Sequence, residues 1–291
     1  MTSPDQVSPE PSGAKATASP RPQSLMLSFF GIHALGQGTA LATGSLIDIF
    51  ARAGITEDAV RSTLTRMVNR GLLERHRQGR KMYFGLTPRA AAVLQDGHDR
   101  IWRTGAVNRD WDGTWTLVGF SLPEAWGRER HDLRSRLVWG GFGALQNGLW
   151  VAPGTVDVLA LVEGLGLDAH LKVFRGAAAG EPTDARTVLE TAFDIDDISE
   201  GYHAFLEHWS HPVPANGAID DLARQLLLHT DWLGLVRRDP HLPAEHLPAD
   251  WPAARAEELF QSLAHRYAGP ARREAARLLD TIAVPEAGAA R

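Results

Sequence analysis

Residues 25–35 (LMLSFFGIHAL) are apolar around nearly the whole helical circumference and predict a buried first helix with Ser24 as its N-cap. The glycine-broken GQGTALATG follows. Ser45 then precedes LIDIFARA, with Asp48 three positions on, which predicts a capping box and a second helix ended by Gly54. Thr56 predicts the cap of a third helix from Glu57 to about Arg70. Val60, Leu64, Met67 and Val68 fall on one face of it, and Asp58, Arg61, Ser62, Thr65, Arg66 and Asn69 on the other. Gly71 terminates it.

Residues 72–76 (LLERH) and 82–86 (MYFGL) predict two short strands joined by the loop Arg77-Gln78-Gly79-Arg80-Lys81. Thr87-Pro88 marks an N-cap followed by proline at the first helical position, and a fourth helix runs to about Trp102. Helix, helix, tight turn, helix and basic hairpin together predict a winged helix-turn-helix over residues 24–104.

The pattern changes at about Gly105. Strands at 115–121, 148–151 and 170–175 alternate with helices at 124–139 and 155–165, which predicts a small ferredoxin-like α+β domain over 108–180, with 176–183 as a linker. From Arg186 the period is helical, clearest at 196–209, 217–236, 252–268 and 270–282, with Pro240, Pro243, Pro248 and Pro252 in an extended connection. These residues, 186–283, predict a helical C-terminal domain. The expected fold class is multidomain, mainly α with an α+β centre.

Composition narrows the chemistry. The 291-residue chain has no cysteine, which excludes disulfides, cysteine-ligated zinc and thiol catalysis and fits a reducing cytoplasm. No apolar run reaches the roughly 18–20 residues of a membrane span. Residues 1–23 are rich in Pro, Ser and Ala, lack the apolar centre of a signal peptide, and predict a disordered tail.

Charge is distributed unevenly. The net charge is −5, yet seven basic residues and one acid lie between Arg61 and Lys81. Residues 24–107 carry 11 Lys/Arg against 6 Asp/Glu, and residues 186–291 carry 10 against 17. A basic helix face followed by a basic hairpin suits double-stranded DNA, because a helix fits the major groove and its exposed side chains reach base edges near its start. The candidate readers are Thr56, Asp58, Arg61, Ser62, Thr65, Arg66 and Asn69. Arg70, Arg75, Arg77, Arg80 and Lys81 are candidate backbone contacts, holding position while base contacts specify. A solvated basic face is the competing reading; the agreement of capped helix, tight turn and hairpin favours DNA. The acidic C-terminal end is expected to face away from the duplex, where its amphipathic helices can form a dimer seam.

Four segments carry a family resemblance: AVRSTLTRMVNRGLLERHRQGRKMYFGLT (59–87), WDGTWTLVGFSLPE (111–124), GFGALQNGLWVAP (141–153) and RRDPHLPAEHLPADWP (237–252). In this order they resemble the PaaX-type repressors of aromatic-acid catabolism. The resemblance implies a homodimeric, cytoplasmic transcription regulator on operator DNA, with 57–70 as recognition helix, 72–86 as wing, and a C-terminal effector and dimerisation domain. It also implies an acyl-CoA effector, phenylacetyl-CoA in the best-known members. The middle domain of the family is similar to the Cas2-type ferredoxin fold, which in some relatives is a metal-dependent nuclease. Such a nuclease needs a carboxylate at the end of the first strand, but here that strand ends Gly119-Phe120-Ser121-Leu122-Pro123 and Asp112 precedes it. A nucleic-acid hydrolase is therefore the weaker alternative, beside an activator or adaptor of the same fold, and no catalytic residue, metal site or cofactor is assigned.

The remaining constellations are less specific. His203, His208 and His211 cluster without a completing carboxylate at helical spacing. GGFGALQNG (140–148) is glycine-rich but has neither the Lys-Ser/Thr of a P-loop nor GxGxxG, and predicts a helix-to-strand turn. Trp209, Trp232 and Trp251 suit core anchors better than an aromatic acyl pocket. Arg134, Arg136, Lys172, Arg175, Arg237 and Arg238 are the cations available to the phosphates of a coenzyme A thioester, and nothing in the sequence selects among them.

Overall fold

The computed structural model describes residues 21–211 and 220–284. Most of the tail expected over 1–23, and the start of the helix expected from 217, lie outside these. Helix α1 (Pro22–His33) opens with proline at its first turn, where the missing N–H costs nothing, so Ser24 is inside the helix and caps nothing. Strand β1 (Thr39–Ala42) lies in the glycine-broken stretch and leads into α2 (Thr43–Arg52) without a side-chain cap. Ser45 is again inside the helix rather than its cap; its Oγ instead accepts the Asp280 N–H at 2.9 Å. Helix α3 (Glu57–Asn69), strands β2 (Leu73–Gln78) and β3 (Lys81–Leu86), and α4 (Pro88–Asp99) follow, and a π-helical turn, Arg100–Thr104, extends α4.

The central segment runs β4 (Trp115–Phe120), α5 (Gly127–Trp139), β5 (Gly143–Gln146), β6 (Leu149–Pro153), α6 (Val158–Val162) and β7 (Leu171–Ala177). Its antiparallel sheet has the order β5-β6-β4-β7. Strand β5 escaped the sequence reading because four residues give too short an alternation. It is pinned by Gly143, where a Cβ would come within 2.3 Å of the Ala192 carbonyl. That carbonyl ends α7 (Ala185–Ala192), which the sequence pattern did not single out.

Helices α8 (Ile195–Ser210), α9 (Asp221–Val236) and α10 (Ala253–Leu278) form the C-terminal part, followed by β8 (Thr281–Ala283). The two helices expected at 252–268 and 270–282 are one, with Pro270 inside it. Proline removes one backbone bond, but Ala264, Tyr267, Ala271 and Ala275 stay buried on one continuous face across it, and that packing outweighs the break. Strand β8 then leaves the helix and pairs with β1, giving a second antiparallel sheet of order β2-β3-β1-β8.

The first and last parts of the chain therefore share one core. Leu25, Met26, Phe29 and Phe30 of α1 are buried with Leu222 and Leu226 of α9 and with Ala271 and Ala275 of α10. Each such large apolar side chain contributes about 1.5–3 kcal/mol. Arg52 at the end of α2 is paired with Asp220, which caps α9, and lies 3.0 Å from Glu274 of α10. A second cluster holds α8, α9 and α10 together around Tyr202, Trp232 and Phe260, with the Trp232 and Phe260 rings stacked at 4.7 Å. Tyr202 donates to Asp239, which also accepts the His241 N–H at 2.7 Å and so shapes the turn into the proline-rich connection. Burial, ahead of these bonds, holds the Asp239 carboxyl above its usual range.

Ser45→Ala leaves the Asp280 N–H without its partner, and urea unfolding should show a loss of about 1–2 kcal/mol, with faster hydrogen exchange across β8. His33 and His229 are held neutral, at pKa about 4, first by burial and then by nearby Arg272 and His33 respectively. Below the unfolded value of 6.5 the unfolded chain takes up protons that the fold refuses, so stability is full above 6.5 and falls as pH drops toward 4. Each histidine accounts for about 3 kcal/mol at the acid end. His229→Gln should flatten the pH dependence of the urea midpoint; an unchanged slope would remove His229 from this account.

Candidate nucleic-acid interface

Helix α3 is anchored on one side and open on the other. Val60, Thr63, Leu64 and Met67 are buried, while Thr56, Asp58, Arg61, Ser62, Thr65, Arg66, Asn69 and Arg70 are exposed. Thr56 Oγ1 accepts the Ala59 N–H at 3.4 Å, and Glu57 and Asp58 in the first turn complement the helix dipole. Arg61 reaches back to Glu57 at 2.7 Å. Both side chains are more than half exposed (57% and 55%), so the pair adds little stability, but it orients the guanidinium along the open face. Arg66 donates to Ser62 Oγ at 3.0 Å and Thr63 Oγ1 at 2.9 Å, so Ser62 and Arg66 present one combined polar surface. Arg70 lies at the far end, donating to Gln23 of α1 at 3.0 Å, a contact that no local pattern signals.

The hairpin is tighter than the sequence suggested. Pairing runs without interruption from Leu73↔Leu86 to Gln78↔Lys81, so Arg77, Gln78 and Lys81 belong to the strands and the turn is Gly79-Arg80 alone. Gly79 takes φ 60, which a side chain disfavours. Continuous pairing satisfies backbone groups that a five-residue loop would leave to water. Alternation then divides the cations. Arg75 and Arg77 lie opposite Phe84 and Met82, on the face turned to the helices. Lys81 and Tyr83 lie on the other face, and Arg80 sits at the tip. All four cations are exposed.

Lys81 is not free. Its Nζ lies 2.7 Å from Asp280 Oδ2, and the Tyr83 hydroxyl is 3.2 Å from both oxygens of that carboxylate. Lys81, then Tyr83, hold the Asp280 carboxyl below its usual range. The acidic end of the chain thus places one carboxylate beside the basic hairpin. Sequence reasoning missed Asp280 because 199 positions separate it from Lys81.

The other candidates disperse. His203, His208 and His211 are exposed, His211 Nδ1 lies 2.8 Å from the Glu207 carbonyl, and among the described residues no group of three or more His, Cys, Asp or Glu is placed to hold a metal. Asp112 Oδ1 accepts from the Thr114 N–H at 3.0 Å and its hydroxyl at 2.6 Å, a turn that leads into β4. Thr114 holds this carboxyl below its usual range. Gly141 and Gly148, both at positive φ, serve the turns around β5. Trp209 and Trp232 are core residues and Trp251 is partly buried against them. Arg134 and Lys172 are exposed, Arg136 donates to the Leu161 carbonyl at 3.1 Å, and Arg175 pairs with Asp157 at 3.1 Å. Among the described residues no helix is long and apolar enough to cross a membrane.

Three family models match the chain in order: PaaX-like protein over residues 21–90, PaaX protein central Cas2-like domain over 108–188, and PaaX-like protein C-terminal domain over 193–277. The transcriptional repressor PaaX of Escherichia coli is 28% identical over 257 residues, covering 84% of this chain and 80% of its own. A solved structure of an uncharacterized protein from Mycobacterium tuberculosis superposes with a TM-score of 0.60 at 26% identity, over 89% of this chain and 100% of that one. With all three of its parts matched in sequence, the chain belongs to the PaaX family of transcriptional regulators.

Proposed function

We propose that the protein is a DNA-binding transcriptional repressor in which α3 reads the major groove and the β2–β3 hairpin holds the phosphate backbone. The observation that carries this reading is the open face of α3, capped by Thr56, rooted by Val60, Leu64 and Met67, and flanked by exposed Arg75, Arg77 and Arg80. In this reading residues 24–104 are a winged helix-turn-helix. Residues 108–180 are a ferredoxin-like unit, for which the β-α-β-β-α-β order is the support. Residues 186–283 serve effector binding and dimerisation. A cytoplasmic homodimer presents two copies of α3 to an inverted repeat. The E. coli relative named as a repressor supports repression, and the family resemblance supports release by an aryl-CoA thioester such as phenylacetyl-CoA.

A nucleic-acid hydrolase built on the central unit is the second reading. The use of Asp112 in a turn at the start of β4 counts against it. Cleavage of DNA or RNA by pure protein with Mg²⁺ or Mn²⁺, lost in Asp112→Asn, would reinstate it.

Arg61→Ala or Arg66→Ala should cost about 1–3 kcal/mol at the operator and relax base preference. Arg80→Ala should weaken binding on any sequence and lower the salt slope by about one. Asp280→Asn should act in the opposite sense, releasing Lys81 and steepening the slope by about one. Fluorescence anisotropy on upstream DNA over a salt series reads all four variants. Wild-type binding in both arginine classes would sink the assignment of α3.

A further inference from the structure

Strand register puts Lys81 and Tyr83 on the hairpin face turned away from the helices, with Gln78 and His76 opposite them on β2. Tyr83 is 4% exposed and packs with Ala40 and Ala42 of β1, so its hydroxyl is fixed in place. The Lys81 ammonium and that hydroxyl converge on one group, the Asp280 carboxylate. Lys81 Nζ lies 2.7 Å from Oδ2, and the hydroxyl lies 3.2 Å from each oxygen. A phosphodiester offers the same chemistry to an ammonium and a phenol, an anion shared between two non-bridging oxygens. The carboxylate is not what holds β8 in place. The Asp280 N–H donates to Ser45 Oγ at 2.9 Å, its carbonyl accepts the Ala42 N–H at 2.9 Å, and the residues after it pair with β1. The ion pair itself is open to water, with side chains 68% and 40% exposed, so it contributes little and exchanges readily.

We propose that Lys81 and Tyr83 form a binding site for a backbone phosphate of double-stranded DNA, and that the Asp280 carboxylate occupies this site when no DNA is bound. The phosphate enters as the Asp280 side chain turns away, while the backbone of β8 stays on β1. The surroundings suit a phosphate chain. Arg80 is exposed at the adjacent tip, so neighbouring phosphates of one strand meet Arg80 and Lys81. Arg75 and Arg77 lie on the opposite face of the hairpin, and cations on both faces suit a ribbon with a phosphate chain on either side, as in a groove. The exchange also has a charge consequence. The phosphate gives up its counterion to Lys81, but Asp280, left unpaired, gathers a cation, so the wild-type protein gains little net ion release at this contact. Tyr83 thereby becomes a DNA contact that the sequence pattern does not single out, because it reads as an ordinary apolar strand residue. The inference rests on the reading of the hairpin as a DNA interface.

Fluorescence anisotropy of the full-length protein on a random-sequence duplex at low salt tests the site without an operator. Asp280→Ala should tighten binding and Lys81→Gln should weaken it, each at least about threefold. In the Asp280→Ala protein no carboxylate competes for the hydroxyl, so Tyr83→Phe there should weaken binding at least about threefold, as loss of a hydrogen bond to a charged group does. Asp280→Asn replaces Asp280→Ala if the latter does not fold. A second readout watches the hydroxyl itself. The chain has three tyrosines, so carbon-13 labelling at Cζ gives three signals, and Tyr83→Phe identifies one of them. That signal should move when duplex is added, because the partner of its hydroxyl changes. A Tyr83 signal identical with and without saturating duplex overturns the proposal, as does an unchanged affinity on Tyr83→Phe in the Asp280→Ala protein. Either result, with Arg61→Ala still weakening operator binding, removes this site and leaves the reading of α3 in place; no duplex binding by the wild-type protein removes both.

Discussion

Helix α1 cannot bury its apolar circumference without α9, from near the far end of the chain. Leu25, Met26, Phe29 and Phe30 are fully buried, and an α-helix apolar all round needs partners on every side. Helices α3 and α4 cover part of it, and α9 covers much of the rest. Strand β1 has the same dependence: four residues long, it is held between β3 and β8. The basic face of α3 and the hairpin therefore stand on a scaffold completed by residues some two hundred positions away, although α3 itself is locally well specified.

Electrostatics follows the same closure. The sequence divides its charge into a basic beginning and an acidic end, but the fold brings the two into register at chosen points. Asp220 and Glu274 neutralise Arg52 where α2 meets α9 and α10, and Asp280 neutralises Lys81 beside the hairpin. These acids do not face away from the basic segment. In the DNA-free protein they remove the cations that hold the scaffold together from the set available to DNA, leaving Arg66, Arg70, Arg75, Arg77 and Arg80 exposed beside Arg61, whose own partner Glu57 lies on the same open face. Acid–base pairing thus selects which cations form the surface field.

What was legible in the sequence depends on the range of the contact that fixes it. Helix α3, its Thr56 cap, its buried and open faces and the Thr87-Pro88 start of α4 are set by neighbours within a few positions, and the structure places them as the pattern implied. Ser24 and Ser45 look like caps by the same local rules, yet Ser45 spends its hydroxyl on Asp280, a partner 235 positions away. Strands β1 and β5 are too short to show an alternation, and Pro270 reads as a break until the buried face across it is seen. The exposed cations of the candidate site could be listed from sequence. The loss of Lys81 to Asp280 and the division of the hairpin cations between two faces could not, because both depend on pairing register.

Helix α1 also explains how a ligand could be felt at the basic face. It packs against α3, α4 and α9, and its Ser28 lines the cavity between α1, α4, α9 and α10. A ligand shifts an equilibrium only by its difference in affinity for two states. Here Ser28 of α1, and Gln225 and Arg237 of α9 and its end, come from opposite ends of the chain, so the cavity they share exists only while α1 is seated on α9. Occupying the cavity would favour one apposition of α1 and α4 on α9 and α10. Because α3 is seated on α1, the orientation of its open face depends on which apposition is held.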